Sequence, residues 1–333
     1  NMRPMSTSTI ITTTIMTMTM TTVSIALMNT LFRLATVIVL APLIGLLEKC
    51  VCLLIPENPE SIREEQEMDR LEERFLLHPA LALEQSRQVT DAMARRAMDN
   101  LLRAMDLVHK FSDKGCRAVE DAENAIDRYE DRLGTYLMKI TGKELSQRQS
   151  EEVSKYLHTI SDFERISDHA VNIIKTAQEI RDKDIKFSEE ALNDLSVLEA
   201  AVQDIVNRTV DAFQKCDTYA AGKIEPLEQV VDGLGREVKT RHIARLQAGA
   251  CTIEYGFVLD DLLTNYERIA DHCSNIAVAM IEVSEDRFDT HEYLNHIKNG
   301  ESPSFEKRYE RYRGRYTFEP GPSGTAAAPE QKK

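Results

Sequence analysis

The feature that most constrains this chain is written twice: ERISDHAVNI at 164–173 and ERIADHCSNI at 267–276 agree at seven of ten positions. Glu164 and Glu267 stand 103 positions apart. One segment earlier, Glu123-x-x-x-Asp127 and Glu228-x-x-x-Asp232 stand 105 apart. Two nearly equal offsets mark a duplicated domain of about 100 residues. Around these motifs run amphipathic segments at 61–76, 80–112, 115–140, 147–182, 188–220, 223–248 and 251–285, each predicted to be helical. Breaks at His78-Pro79, Gly115, Thr141-Gly142, Lys186-Phe187-Ser188 and Gly222 supply stop and start chemistry. The loops are short, so neighbouring helices should run antiparallel. Apolar seams recur at spacings of three and four: Val119, Ala122, Ile126, Tyr129 and Leu133 in one helix, Tyr266, Ile269, Cys273, Ile276 and Met280 in another. That is bundle packing. No alternating strand pattern stands out, and the chain has no Trp, 13 Gly and 10 Pro. The expected fold class is all-α, with three long helices per copy.

Ahead of the repeats, residues 1–22 are a biased run of Met, Thr, Ser and Ile to which no role is assigned. Residues 23–47 are apolar apart from Arg33 and a few small polar residues. About 25 residues at roughly 1.5 Å each can cross a bilayer core of roughly 30 Å, so the sequence predicts one transmembrane helix. Arg63, Arg70 and Arg74 follow this run and only Arg3 precedes it, which predicts a cytoplasmic C-terminal side. The formal charge of −14 opposes broad contact with a phosphate backbone and argues against nucleic acid as a partner. Six cysteines, at 50, 52, 116, 216, 251 and 273, lack CxxC spacing, which fits reduced thiols.

The four Glu-Asp pairs carry the chemistry. Each Glu follows a seam position (Ala122, Phe163, Leu227, Tyr266), and its Asp lies one turn on. At about 100° per residue the acids fall on the side or outer face of their helices. Like charges four apart cost a helix about 0.2–0.5 kcal/mol, so repeating them at matched places calls for a counter-ion. Convergent carboxylates suit Mg²⁺, Mn²⁺, Ca²⁺ or iron. His169, Asn172, His272 and Asn275 would stand behind them as a supporting layer.

These motifs resemble the PhoU domain, a three-helix bundle found twice in phosphate-uptake regulators. The runs NTLFRLATVIVLAPLIGLLEK (29–49), LEERFLLHPALALEQ (71–85), DTHEYLNHIKNG and YERYRGRYTF (within 289–318) further resemble the C-terminal part of bacterial Na⁺/phosphate cotransporter family proteins. The resemblance implies metal clusters, iron or zinc among them, on the outer bundle faces. It nominates Glu123, Asp127, Glu164 and Asp168 in the first copy and Glu228, Asp232, Glu267 and Asp271 in the second. The inverted membrane repeats of such cotransporters are missing here, so a fragment or a mispredicted start is expected.

The expected organisation is therefore a low-complexity segment (1–22), a transmembrane helix with its membrane exit (23–55), a linker and short helix (56–78), two PhoU-like bundles (79–185 and 186–288), a basic and aromatic docking tail (289–318) and a disordered end (319–333). The function expected is regulation of a Na⁺-coupled phosphate transporter, at the plasma membrane with the bulk of the chain cytoplasmic. Expected partners are the membrane, a transporter membrane domain, a phosphate-signalling protein and a second copy of the chain. A separate tethered signalling adaptor is the alternative. An enzyme is not expected: a helical di-metal carboxylate enzyme would need inward Glu-x-x-His pairs, whereas Glu164 and His169 are five apart.

Overall fold

The structure, a computed structural model, describes residues 7–41, 44–45, 59–285 and 303–319. The chain divides into two compact units, 1–63 and 64–333.

In the first unit, helix α1 spans Thr7–Leu40. The expected transmembrane helix over 23–47 is corrected here: no helix among the described residues is long and apolar enough to cross a membrane. The side chains described in α1, from Ser24 to Leu40, include the polar Asn29 and the charged Arg33. They are exposed throughout, Phe32 by 72% and Met28 by 74%. The hydroxyls of Thr30 and Thr36 donate to the carbonyls of Ala26 and Phe32, at 2.9 and 2.8 Å, which satisfies them within the helix. The expected membrane exit, with Cys50 and Cys52, lies outside the described residues.

The remainder is helical as the periodicity predicts, with two corrections. The segment 61–76 is broken into α2 (Pro59–Met68) and a 3₁₀ turn (Glu73–Leu77). The segment 188–220 is α6 (Glu189–Lys215) and a short α7 (Thr218–Ala221), separated by Cys216 at φ 51°. A left-handed residue ends a helix by turning the chain back, so that the next N–H groups bond the last carbonyls, here Asp217 N–H to the Ala212 carbonyl at 2.9 Å. Between and after these lie α3 (Pro79–His109), α4 (Asp113–Thr141), α5 (Gln147–Asp182), α8 (Ile224–Gln247), α9 (Ile253–Glu285) and α10 (Pro303–Arg313). Pro79 opens α3 at a position where its missing N–H costs nothing. Ser112 and Ser188 cap α4 and α6, and Ser146 with Gln149 forms a reciprocal capping box on α5.

Helices α3, α4 and α5 pack together as one bundle, and α6, α8 and α9 as another. The bundles are joined by α5 against α9 and α3 against α6. His169 Nδ1 meets Asn265 Oδ1 at 2.8 Å, and His272 Nδ1 meets Asp162 Oδ1 at 2.9 Å. Since Asp162 and Asn265, like His169 and His272, are 103 positions apart, the two contacts are one contact made twice about a pseudo-twofold axis. The rising numbers on α5 meet falling numbers on α9, so these helices run antiparallel. Between them the two imidazoles lie 5.5 Å apart, centroid to centroid. A single apolar core passes through this junction: Phe163 of the first bundle meets Phe213 of the second edge to face at 5.1 Å. The predicted seam residues Val119, Ile126, Tyr129, Leu133, Tyr266, Ile269, Cys273, Ile276 and Met280 are all buried. Each large apolar side chain so buried contributes about 1.5–3 kcal/mol.

Each bundle receives a terminal arm along its first and second helices. On the first bundle, Arg128 donates to both oxygens of Glu64 at 2.8 and 3.0 Å, Arg96 donates to Glu67 at 3.1 Å, and Tyr136 donates to the Glu72 carbonyl at 3.0 Å. On the second, α10 packs against α8. There Arg308 donates to the Gly222 carbonyl at 2.8 Å and Tyr316 to Asp204 at 2.8 Å, while Arg241 stacks on Phe318. The Tyr- and Arg-rich run thus lies along the second bundle. The parts of the tail at 289–302 and 320–333 lie outside the described residues.

Two glycines differ in what surrounds them. At Gly256 in α9 an added Cβ would stand 2.8 Å from Nε2 of the buried His242, so the two helices approach there only because the side chain is missing. At Gly235 in α8 an added Cβ would meet nothing within 4 Å. Gly256→Ala is expected to lower the unfolding free energy by about 1–3 kcal/mol, and Gly235→Ala to raise it by about 0.5–1 kcal/mol. Urea unfolding followed by circular dichroism checks both signs.

Candidate metal site

Where α4 and α5 run side by side, Glu123 and Asp127 from α4 and Asp168 from α5 each offer a carboxylate oxygen, all within 4.8 Å of one another. Among the described residues this is the group of acidic, His or Cys side chains gathered closely enough to hold one ion. The placement follows from phase. Ala125, Ile126 and Tyr129 turn into the bundle, which leaves Glu123 and Asp127 half-buried on the flank facing α5. Asp168 stands exposed on the opposing flank.

The electrostatics are those of acids without enough countercharge. The Glu123 carboxyl is held above its usual range first by burial, then by the charges of Asp127 and Asp168, with Lys175 opposing. Asp127 is raised by burial and by Asp168 and Asp131. Glu164 is pushed up to about 7, first by burial and then by Asp168, Glu130 and Asp127. Glu130, two turns beyond Glu123, belongs to the same patch, and burial, Asp131 and Asp127 raise it as well. Sequence reasoning missed Glu130; its i+7 spacing from Glu123 is the signal that would have found it.

The four carboxylates expected in each copy are placed differently in the two bundles. In the first copy Glu164 acts on the group through its charge but lies outside the closely gathered three. In the second copy Glu228 is buried, only 5% exposed, against the expectation that all these acids lie outside the core. The first turn of α8 is enclosed as a whole: Ile224, Glu225, Pro226, Leu227 and Glu228 are all buried. Glu225 accepts a hydrogen bond from Ser274 on α9. Acids are tolerated there because a helix N-terminus carries partial positive charge. Asp232 is half-buried, Glu267 is exposed, and Asp271 accepts from Arg268 at 3.2 Å.

His169 and His272 are placed across the bundle junction, bonded to Asn265 and Asp162. Asn275 also donates to Asp162, at 3.4 Å, and Asn172 accepts from Lys175 at 3.3 Å. Burial lowers the His169 pKa, despite the bond to Asn265.

A protein of this class is an all-helical tandem: two three-helix bundles joined through their third helices, with acids on the outer flank of the first. The model of the PhoU domain matches residues 90–177 and 195–280, one match over each bundle, and the chain belongs to the PhoU domain family. It is 24% identical over 150 residues to the phosphate-specific transport system accessory protein PhoU homolog 1 of Thermotoga maritima, covering 44% of this chain and 63% of that protein. It is also 24% identical over 196 residues to a PhoU homolog of Xylella fastidiosa, covering 58% of this chain and 82% of the relative. The crystal structure of PhoU from Pseudomonas aeruginosa has the same fold, with a TM-score of 0.58 at 19% identity, covering 61% of this chain and 97% of that one.

The raised Glu164 carboxyl gives a direct check. Removing the Asp168 charge by Asp168→Asn takes away a repulsive neighbour, so the Glu164 pKa should fall from about 7 toward the usual carboxylate range. Because the folded pKa is the raised one, the stability this group confers is fully present below about pH 4.5 and is lost as pH rises through about 7. Carboxyl-carbon NMR titration of the wild type and the variant measures the change.

Proposed function

We propose that this chain regulates phosphate uptake, acting as the accessory part of a membrane transport system. The observation that carries the reading is the paired PhoU match, one over each bundle. The Thermotoga and Xylella relatives, named as accessory proteins of phosphate-specific transport, support the choice of process. The finer reading is a Na⁺-coupled phosphate transporter as the partner, supported by the resemblance of 29–49, 71–85 and 289–318 to cotransporter sequences. A separate PhoU-type signalling adaptor that reports phosphate status to a protein partner is the alternative.

We further propose that the acidic flank binds a metal cation, among iron, zinc, manganese and magnesium. The donor set fits. Oxygens within 4.8 Å of one another can all reach one ion at roughly 2.0–2.6 Å. The ion would cancel the repulsion that raises Glu123 and Asp127. Glu123, Asp127 and Asp168 would hold it, with Glu164 and Glu130 beside them. Glu228, Asp232, Glu267 and Asp271 would form the weaker site, since Glu228 is enclosed. A di-metal enzyme is disfavoured because His169 and His272 are engaged across the bundle junction.

Metal-depleted protein titrated with Mn²⁺ should take up an ion with a binding signal that Asp168→Asn abolishes and Asp271→Asn leaves largely intact. Loss of the signal in Asp271→Asn alone would move the site to the second copy, and no uptake by the wild type would end the metal proposal. In cells, deleting the gene should change phosphate uptake measured with ³²P. Unchanged uptake in phosphate-rich and phosphate-poor media would overturn the regulatory reading.

A further inference from the structure

Away from the acidic flank, one carboxylate ties the two bundles together. Glu199 on α6, only 7% exposed, accepts a hydrogen bond from Tyr266 of α9 at 2.9 Å. Its other oxygen lies 2.7 Å from Nε2 of His109, which stands on the last turn of α3 in the first bundle. We propose that His109 and Glu199 form a pH-dependent latch between the bundles, closed while His109 is protonated and loosened when it is not.

The geometry carries the proposal. His109 is the reach of the first bundle into the second at this end of the α3–α6 seam, and it ends on a buried acid already oriented by Tyr266. Burial and Glu199 push the Tyr266 hydroxyl well above its ordinary value, so it remains a donor throughout the working range. The groups that face His109 are Glu199 from α6 and Asp106 from its own helix, with Tyr266 of α9 behind the shared carboxylate. Both acids favour the imidazolium, and the His109 pKa is raised, first by the bond to Glu199 and against the opposing effect of burial. On deprotonation the ring can still donate to the carboxylate, but the attraction between opposite charges is lost. The folded pKa is the higher one, so the latch is fully closed below about pH 6.5 and is lost as pH rises through the raised value.

At the opposite end of the seam the bond across it does not titrate, although the Asp91 carboxyl beside it is pushed up to about 6, first by burial and against Arg87, Lys155 and Arg95. Gln214, 105 positions after His109, occupies the corresponding place in the second copy. It donates to the Asp91 carbonyl at 3.1 Å and accepts from Arg95 at 3.1 Å. An amide, a backbone carbonyl and a guanidinium do not titrate near neutrality. Loosening at one end while the other holds is a hinge.

Hydrogen exchange of the full chain, corrected for the intrinsic pH dependence of exchange, tests this from about pH 5.5 to about pH 8.5. Peptides at the end of α3 and around Glu199 should lose protection roughly three- to fivefold as pH rises, the scale set by losing the Coulomb attraction of one partly exposed ion pair, up to about 1 kcal/mol. Peptides around Gln214 should change less, and any change around Asp91 should follow its own carboxyl near pH 6 and persist in His109→Gln. In His109→Gln, which keeps a neutral donor at the same place, protection at the end of α3 and around Glu199 should be flat across the range. A wild type without pH dependence, or a His109→Gln variant with the same dependence, overturns the latch; so does equal loss at both ends of the seam, which would be general loosening of the fold.

Discussion

Everything else in the second unit depends on the antiparallel contact of α5 with α9. Two long helices, one from each copy, lie along each other and exchange the same pair of bonds, His169 to Asn265 and His272 to Asp162. Once the third helices occupy the centre, the first helices close the seam beside them and the second helices are left outside. The aromatic contact of Phe163 with Phe213 makes the junction continuous with both cores, so the bundles share one apolar interior. The polar pairs add direction to that adhesion: buried hydrogen-bonding groups must find partners, and only one register provides them.

The acidic flank is a by-product of the same arrangement. Glu123 and Asp127 belong to an outer helix and Asp168 to a central one, so their meeting place is the groove between layers. In the first copy that groove leaves Glu123 and Asp127 half-buried, Asp168 exposed and the three mutually repelling. In the second, the turn through Cys216 and the short helix after it deliver the start of α8 into the interior, and its first acids become structural. Duplication preserved the motif and let the surroundings of the two copies diverge.

Much of this was legible in the residues. The seam at Val119, Ile126, Tyr129 and Leu133 and its counterpart from Tyr266 to Met280 gave the helices and their buried faces, because a spacing of three and four leaves no other way to enclose them. The outward turn of Glu123 and Asp127 followed from the same phase. Glu228 has the same local phase as Glu123, yet it is enclosed by elements that come from elsewhere in the chain, and periodicity within one helix cannot register that. The histidines were read as a layer behind the acids because they adjoin Asp168 and Asp271 in sequence. One residue along a helix is a turn of about 100°, which points them at the other bundle. Extending the repeat backward by two residues, to Asp162 and Asn265, would have exposed the exchange.

The two terminal arms occupy comparable flanks of their bundles with opposite chemistry. The leading arm presents Glu64, Glu67 and Glu73 to Arg96, Arg128 and Lys139, while the trailing arm presents Arg308 and Arg315 to a flank that carries Asp204. A duplicated protein is liable to confuse its own halves, since surfaces that descend from one ancestor remain similar in shape. Here the trailing arm laid on the first half would bring Arg308 and Arg315 toward Arg96 and Arg128 instead of Asp204. Charge thus serves as an address label, telling each end of the chain which of two look-alike bundles it belongs to.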